Sequence, residues 1–199
     1  MENLEKLNFD EKVEILKKLK EEKDAVILAH YYVNEDIQAI ADYIGDSFFL
    51  AQKATELKEK TIVMAGVYFM GESVKILNPS KNVLMPDLDA DCPMAHMVSV
   101  EKIKEMREKY DDLAVVTYIN STAEIKAYSD ICVTSSNAAK IVNKLKEKNI
   151  FFVPDKNLGD YIKKSLPNFS YSKPSELVLK NSINFRVIII KNQNGSKFT

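Results

Sequence analysis

Short apolar runs alternate with segments of helical periodicity along most of the chain. A charged amphipathic stretch at residues 1–23 predicts an N-terminal helix, and segments such as EDIQAIADYI and SFFLAQKATELKEK carry apolar residues at helical spacing. Four runs have the length and composition of buried strands: AVILA, TIVMAG, LAVVT and NIFFVPD. Strands that alternate with helices predict an α/β fold with parallel sheets.

The same pattern occurs twice, at an offset of 88 residues. Residues 24–73 align with residues 112–161 without a gap, and 12 of these 50 positions are identical, where chance would give about three. We therefore predict two repeated three-layer α/β units with parallel sheets. The expected boundaries place the first unit and its cysteine loop at 24–111, the second at 112–166 and a divergent tail at 167–199. A short apolar run in the tail, VIII, predicts one more strand.

Charge and composition narrow the classes of partner. The 28 basic and 29 acidic residues nearly balance without a long run of one sign, so we expect neither a nucleic-acid nor a membrane partner. No segment approaches the roughly 20 apolar residues that a bilayer requires. Two cysteines without an export signal favour a reducing, cytoplasmic setting.

Polar and aromatic residues stand at equivalent strand ends of the two copies. His30 aligns with Tyr118, and Tyr32 aligns with Asn120. Ligands bind beyond the carboxyl ends of parallel strands, which predicts a ligand site at these edges. Ser47 aligns with Ser135 at the start of the second helix of each copy. These serines are candidate ligand donors, but they are also ordinary N-cap residues.

The two cysteines differ in their surroundings. Cys92 lies in the polar loop MPDLDADCPMAHM and is a candidate metal ligand or nucleophile. Cys132 aligns with Ile44, so we expect a buried structural thiol. His96 has no second ligand pair around it, and we expect a surface histidine.

Five segments together resemble the quinolinate synthase (NadA) family. They are LAHYYVNEDIQAIADYIGDS, VMAGVYFMGESVKILNP, LMPDLDADCPMAHM, VVTYINSTAEIKAYSDICVTSSNA and FFVPDKNLGDYI, and they follow one another in the family's order and spacing. The resemblance implies a fold of three α/β units around a pseudo-threefold axis, with the active site at the centre. It also implies condensation of iminosuccinate (iminoaspartate) with dihydroxyacetone phosphate to quinolinate in NAD biosynthesis.

The resemblance further implies a cofactor and a set of site residues. The family holds a [4Fe-4S] cluster through three cysteines, and Cys92 resembles the first of these ligands. His30 and Tyr32 resemble catalytic residues, and Tyr32 occupies the position that handles the triose phosphate. The positions that resemble the iminosuccinate-binding groups are His30, Ser47, Tyr118, Ile119, Asn120 and Ser135.

The end of the chain departs from the family pattern. The family's second cluster cysteine normally follows the PDKNLG segment in a Gly-x-Cys-x-x-His setting, and no cysteine or histidine follows that segment in this sequence. We interpret the tail as the product of a frameshift, an early stop or an incomplete gene model. With one plausible cluster ligand, we expect the chain alone to be incomplete and inactive as an enzyme. The alternatives are a non-catalytic α/β fragment that binds dicarboxylate or phosphate, and a generic α/β protein.

Overall fold

The computed structural model describes residues 4–165, 169–171 and 188–192 of the chain. The chain divides into two compact units between Asp91 and Cys92. Each unit contains its own β-sheet with helices packed against it, so the predicted fold of two α/β units is confirmed. In the described part of the chain, no helix combines the length and the apolar character that a bilayer crossing needs.

The first unit is built on a four-stranded parallel sheet in the order β2-β1-β3-β4. A short 3-10 turn at Leu4–Lys6 precedes its first helix. Its helices are α1 (Phe9–Glu22), α2 (Glu35–Ile40), α3 (Ser47–Glu56) and α4 (Tyr68–Leu77). Its strands are β1 (Ala25–His30), β2 (Tyr43–Gly45), β3 (Thr61–Ala65) and β4 (Asn82–Leu84). The predicted N-terminal helix is α1, which begins in a capping box formed by Asn8 and Glu11.

The second unit opens with a 3-10 helix at Pro93–His96 and has a five-stranded sheet in the order β6-β5-β7-β9-β8. Its helices are α5 (Val100–Lys109), α6 (Ala123–Ala127), α7 (Ala138–Val142) and α8 (Lys156–Ser165). Its strands are β5 (Leu113–Tyr118), β6 (Ile131–Val133), β7 (Asn149–Val153), β8 (Phe169–Tyr171) and β9 (Ile188–Asn192).

The first three strands of the second sheet pair in parallel, as predicted, but the last two strands form antiparallel pairings. β6, β5 and β7 run parallel, whereas β9 is antiparallel to β7, and β8 is antiparallel to β9. β9 contains most of the strand predicted in the tail. The remainder of the expected tail, at 172–187 and 193–199, lies outside the described residues.

Side chains of the central strands point alternately to two helical layers. On β5, Ala114 and Val116 belong to one buried cluster together with Val142 of α7 and Ile162 of α8. Val115, between them, belongs to the cluster on the opposite face. That second cluster contains residues of α5 and α6, namely Ile103, Met106 and Ile125. A strand buried on both faces explains why the runs are continuously apolar and do not alternate.

Equivalent hydrogen bonds recur in the two copies. The Asp42 carboxylate accepts from the Ile27 N–H at 2.8 Å, and the Asp130 carboxylate accepts from the Val115 N–H at 2.7 Å. Asp24 and Asp112 both adopt the left-handed region, with φ of 48° and 54°. Their carboxylates accept from the backbone N–H groups of Lys60 and Lys148, respectively, at 3.3 and 3.1 Å. The repeat therefore extends from residue identity to individual hydrogen bonds.

The structural repeat begins earlier than the sequence repeat. Helix α5 precedes β5 as α1 precedes β1, and its buried residues pack in the cluster that includes Val115. The compact units accordingly divide after Asp91, whereas the sequence placed the boundary at 111–112 and set residues 1–23 apart. This division falls within the cysteine loop, with Cys92 as the first residue of the second unit.

Candidate functional site

An aromatic cluster follows the carboxyl end of β1. The His30 ring stacks on Tyr31 with ring centroids 4.7 Å apart and meets Tyr32 edge-on at 4.7 Å. Tyr31 and Tyr32 are also edge to face, at 4.6 Å. Tyr32 is 81% exposed, so its phenol is accessible to a ligand. The three aromatic residues noted at this strand end therefore form one contiguous group.

The environment of His30 favours its neutral form. Burial lowers the pKa of its imidazole below the ordinary value of 6.5, and the charge of Asp46 opposes this shift. A neutral imidazole near pH 7 has one donor and one acceptor nitrogen, so it can both donate a hydrogen bond and accept a proton.

The phenols of Tyr31 and Tyr32 interact with each other. A hydrogen bond with Tyr32 is the largest cause that raises the pKa of the Tyr31 hydroxyl above its ordinary value of 10.0. The charge of Tyr32, partial desolvation and the charge of Asp46 add to this effect. The Tyr31 phenol is therefore a protonated donor at neutral pH.

Ser47 lies at the start of α3 but does not cap it. The N-cap is Asp46, whose carboxylate accepts from the Phe49 N–H at 2.7 Å, and Ser47 is the first helical residue. Ser47 is 8% exposed. The N-cap interpretation of this serine is therefore wrong, because the preceding aspartate, an equally good cap, takes that position.

The second unit repeats the strand-end turn with different side chains. The Ile119 N–H donates to the Val133 carbonyl at 2.8 Å, as the Tyr31 N–H donates to the Gly45 carbonyl at 3.2 Å in the first unit. Ser121, which is fully buried, donates from its hydroxyl to the Tyr118 carbonyl at 2.8 Å.

Asn120 carries an unusual buried atom in this second turn. Its Oδ1 is buried, and no described group donates a hydrogen bond to it. A buried amide oxygen without a donor costs free energy, about 1–3 kcal/mol by analogy with other unsatisfied buried groups. Such an atom is suited to accept from a bound molecule.

Ser135 lies in the turn between β6 and α7 and is exposed. Asn137 is the N-cap of α7, and its side-chain oxygen accepts from the Thr134 N–H at 2.8 Å. Ser135 is therefore not a helix cap either, and it is an exposed residue beyond the end of β6.

The structure corrects one expectation about the cysteines. Cys132 was predicted to be buried but is exposed, because β6 is an edge strand of the sheet. Ile44, the aligned residue on which the prediction relied, is itself 44% exposed. Although the residue is exposed, desolvation of its sulfur raises the pKa of the thiol, and Lys126 opposes this. Cys92 is half-buried and precedes the 3-10 helix that ends at His96, which is exposed as expected.

The donor set does not form a metal centre by itself. Among residues 4–165, 169–171 and 188–192, no group of three or more His, Cys, Asp or Glu side chains is placed to hold a metal ion. A [4Fe-4S] cluster with one open iron takes three thiolates, and the sequence contains two cysteines. The residues of this chain alone therefore do not fit that cluster.

Within each unit, the predicted site residues gather at the carboxyl edge of the sheet. His30 and Tyr32 are in ring contact, and Ser47 follows Asp46, whose charge acts on His30. Tyr118, Ile119 and Asn120 form one turn after β5. Sequence reasoning missed Gln38 and Ser121, which hold the strand-end turns, and Asp46, which caps α3. The pair Asp46-Ser47 at a helix start was the available signal for Asp46.

Comparisons with known proteins identify relatives over most of the chain. A family model described as "Quinolinate synthetase A protein" matches residues 14–191. The quinolinate synthase of Fusobacterium nucleatum is 72% identical over 153 residues, which cover 77% of this chain and 51% of that protein. The quinolinate synthase of Caldicellulosiruptor bescii is 52% identical over 159 residues, covering 78% and 52%. That of Clostridium perfringens strain 13 is 52% identical over 160 residues, covering 80% and 53%. The chain thus spans about half the length of the curated relatives that it matches.

Proposed function

Because the chain belongs to the quinolinate synthetase A family, we propose that its two α/β units take part in the condensation of iminosuccinate with dihydroxyacetone phosphate to quinolinate. This reaction is a step of NAD biosynthesis. Support comes from the two strand-end turns, each of which presents polar groups at the carboxyl edge of a parallel sheet, where ligands of such folds bind.

The observation that carries the proposal is the buried Oδ1 of Asn120, which lacks a hydrogen-bond donor. Iminosuccinate offers an imine N–H that this oxygen can accept and two carboxylates that need donors. The Asn120 amide nitrogen is a donor on the same rigid group. An amide that is unsatisfied without ligand and satisfied with it is a preorganised binding group.

The other residues are assigned roles that match their surroundings. His30, held neutral by burial, donates to a substrate carboxylate and accepts a proton. Tyr32, whose phenol is exposed, handles the triose phosphate. The remaining groups proposed to bind iminosuccinate are the hydroxyls of Ser47, Tyr118 and Ser135 and the backbone of Ile119.

Cys92 is the candidate ligand of the family's [4Fe-4S] cluster, whose open iron would act as a Lewis acid. Since this chain alone does not supply three thiolates, the roles proposed for its residues are confined to binding and proton transfer. Two cysteines that form no disulfide fit a reducing cytoplasm, which we propose as the location.

A chimera tests the proposed activity. The matched 153 residues of this chain would replace their counterparts in the Fusobacterium nucleatum relative, and quinolinate would be measured chromatographically after anaerobic iron–sulfur reconstitution. We expect the chimera to form quinolinate, and Asn120→Ala in it to abolish most of the product. Asn143→Ala, at an exposed asparagine in the same unit, is the matched control. A folded chimera with a full cluster and no product would refute the proposal.

Binding to the chain itself provides a second measurement. Calorimetric titration with succinate tests donation from the Asn120 amide nitrogen to a carboxylate. Binding should be saturable and Asn120→Ala should weaken it at least about tenfold, whereas butyrate, which has one carboxylate, should bind poorly. Because the buried Oδ1 of Asn120 has no described donor and therefore costs free energy, we expect Asn120→Ala not to lower the free energy of unfolding. Equal affinities for succinate in the parent chain and in Asn120→Ala would contradict the assignment of this residue.

A further inference from the structure

Two backbone carbonyls in the turn after β1 are held by a single side chain. The Gln38 Nε2 donates to the Tyr31 carbonyl at 3.1 Å and to the Val33 carbonyl at 2.8 Å. An amide nitrogen carries two hydrogens, so both donors are used. Gln38 itself is half-buried on α2.

Backbone groups make two further hydrogen bonds in the turn. The Tyr31 N–H donates to the Gly45 carbonyl at 3.2 Å, and the Val33 N–H donates to the His30 carbonyl at 3.0 Å. These bonds fix the N–H side of the turn to β2 and to the end of β1. The carbonyl side is fixed by Gln38, which ties the turn to α2.

We propose that Gln38 is a positioning residue that holds the His30–Tyr31–Tyr32 ring cluster in its ligand-binding arrangement by restraining the backbone carbonyls of the two residues that flank Tyr32. The proposal rests on the proposed function, because it treats His30 and Tyr32 as ligand-binding groups. Tyr32 is 81% exposed, so its ring position depends on its contacts with His30 and Tyr31 and on the backbone of the turn. Small displacements of binding groups are costly, since productive geometry must be held within fractions of an ångström.

The second unit shows that the α/β framework does not require glutamine at this position. At the equivalent place in α6 stands Lys126, and the Tyr118 carbonyl is held by the hydroxyl of Ser121, which aligns with Val33. Two framework interactions are equivalent in the two copies, namely the hydrogen bonds that the Asp42 and Asp130 carboxylates accept and those that the Asp24 and Asp112 carboxylates accept. The two units thus share a scaffold but differ in the side chain that fixes the strand-end turn. We therefore infer that Gln38 serves the ligand-binding site of the first unit and is not required for the fold.

Two substitutions remove the donors while keeping the length of the side chain. Gln38→Met offers no donor, and Gln38→Glu places carboxylate oxygens against two carbonyl oxygens. Gln52→Glu is the matched control, because Gln52 is an exposed glutamine on α3 of the same unit. All variants are made in the full chain and compared by circular dichroism and thermal unfolding.

Imidazole NMR gives a readout that does not depend on a ligand. The chain has two histidines, and His96→Gln assigns their signals. Burial lowers the pKa of His30, so release of the turn should expose the ring and move its titration midpoint up towards 6.5. We expect this change in Gln38→Met and Gln38→Glu, together with succinate binding weakened about tenfold, and neither change in Gln52→Glu.

The two readouts separate this proposal from the proposed function. Absence of succinate binding in the parent chain would count against the proposed function, while the His30 titration would still report on the turn. An unchanged His30 titration and unchanged affinity in both Gln38 variants would overturn the positioning role. Loss of the native fold in both variants would also overturn it, because Gln38 would then be a structural residue.

Discussion

Removal of the Asp42 or Asp130 carboxylate should destabilise the chain by nearly equal amounts. Each carboxylate accepts from a backbone N–H in a buried strand, Ile27 in β1 and Val115 in β5. Substitution by alanine leaves that N–H without its acceptor. A hydrogen bond to a charged group contributes about 1.5–3 kcal/mol, and partial burial places these bonds near the lower end of that range.

An ion pair adds a smaller contribution at each position. Asp42 pairs with Lys20 at 2.5 Å with side chains 31% and 22% exposed, and Asp130 pairs with Arg107 at 2.9 Å with side chains 48% and 38% exposed. Pairs this accessible contribute about 0.5 kcal/mol or less, and salt screens them. We therefore expect each alanine variant to lose about 2 kcal/mol, and each asparagine variant, which keeps an acceptor oxygen, to lose about half as much.

Amide hydrogen exchange measures this loss at the bonds themselves. A loss of 2 kcal/mol corresponds to about thirtyfold faster exchange of the Ile27 amide in Asp42→Ala and of the Val115 amide in Asp130→Ala. Asp89→Ala, at an exposed aspartate, is the control and should change neither rate. A loss that differs between the two positions by more than about 1 kcal/mol, or that Asn does not reduce, would refute the reasoning from equivalent bonds.

Three further predictions follow from single contacts. The His30 imidazole should titrate below 6.5 by NMR. Because its pKa is lowered in the folded state, the stability that it contributes should be fully present above pH 6.5 and should fall as the pH drops through 6.5 towards the folded pKa. A His30→Gln variant that keeps the same pH dependence of stability would contradict this. Tyr32→Phe should lower the pKa of Tyr31 towards 10.0 in a tyrosine-labelled NMR titration, and an unchanged value would argue against the phenol–phenol hydrogen bond. Gly45→Ala would place a Cβ 2.2 Å from the Phe49 ring. Denaturant unfolding should therefore show a free energy of unfolding lower by about 1–3 kcal/mol, and the additional substitution Phe49→Ala should largely relieve this loss. Equal losses with Phe49 present and with Phe49→Ala would exclude the clash.

The fold was predictable from the sequence because its strands are buried on both faces. The runs at Ala25–His30 and Leu113–Tyr118 are apolar along most of their length. The repeat at an offset of 88 residues supported both strand predictions, because each run has a counterpart in the other copy. The strands Tyr43–Gly45 and Ile131–Val133 were missed, since three residues carry no periodicity. Their place beside β1 and β5 is set by long-range backbone hydrogen bonds, which sequence patterns do not record.

The candidate site was predictable only in part. Alignment of His30 with Tyr118 located the strand ends, and the structure places both as the last residues of equivalent strands. For Cys132, alignment of the two copies led to a wrong prediction. Its aligned residue, Ile44, is apolar and was therefore expected to be buried, but Ile44 lies on an edge strand and is exposed. Gln38 and Ser121 donate hydrogen bonds to backbone carbonyls. The residue type at these positions does not determine whether such a hydrogen bond forms, so the sequence did not predict these contacts.

The left-handed aspartates have a use beyond this chain. At Asp24 and Asp112 the residue must tolerate positive φ and also present an oxygen to a backbone N–H 36 positions later. Glycine meets the first demand but lacks the oxygen, and only asparagine shares both properties with aspartate. An Asp or Asn just before an apolar strand, with a second such strand beginning about 37 residues on, is therefore a compact search signature for finding further copies of this building block in longer polypeptides.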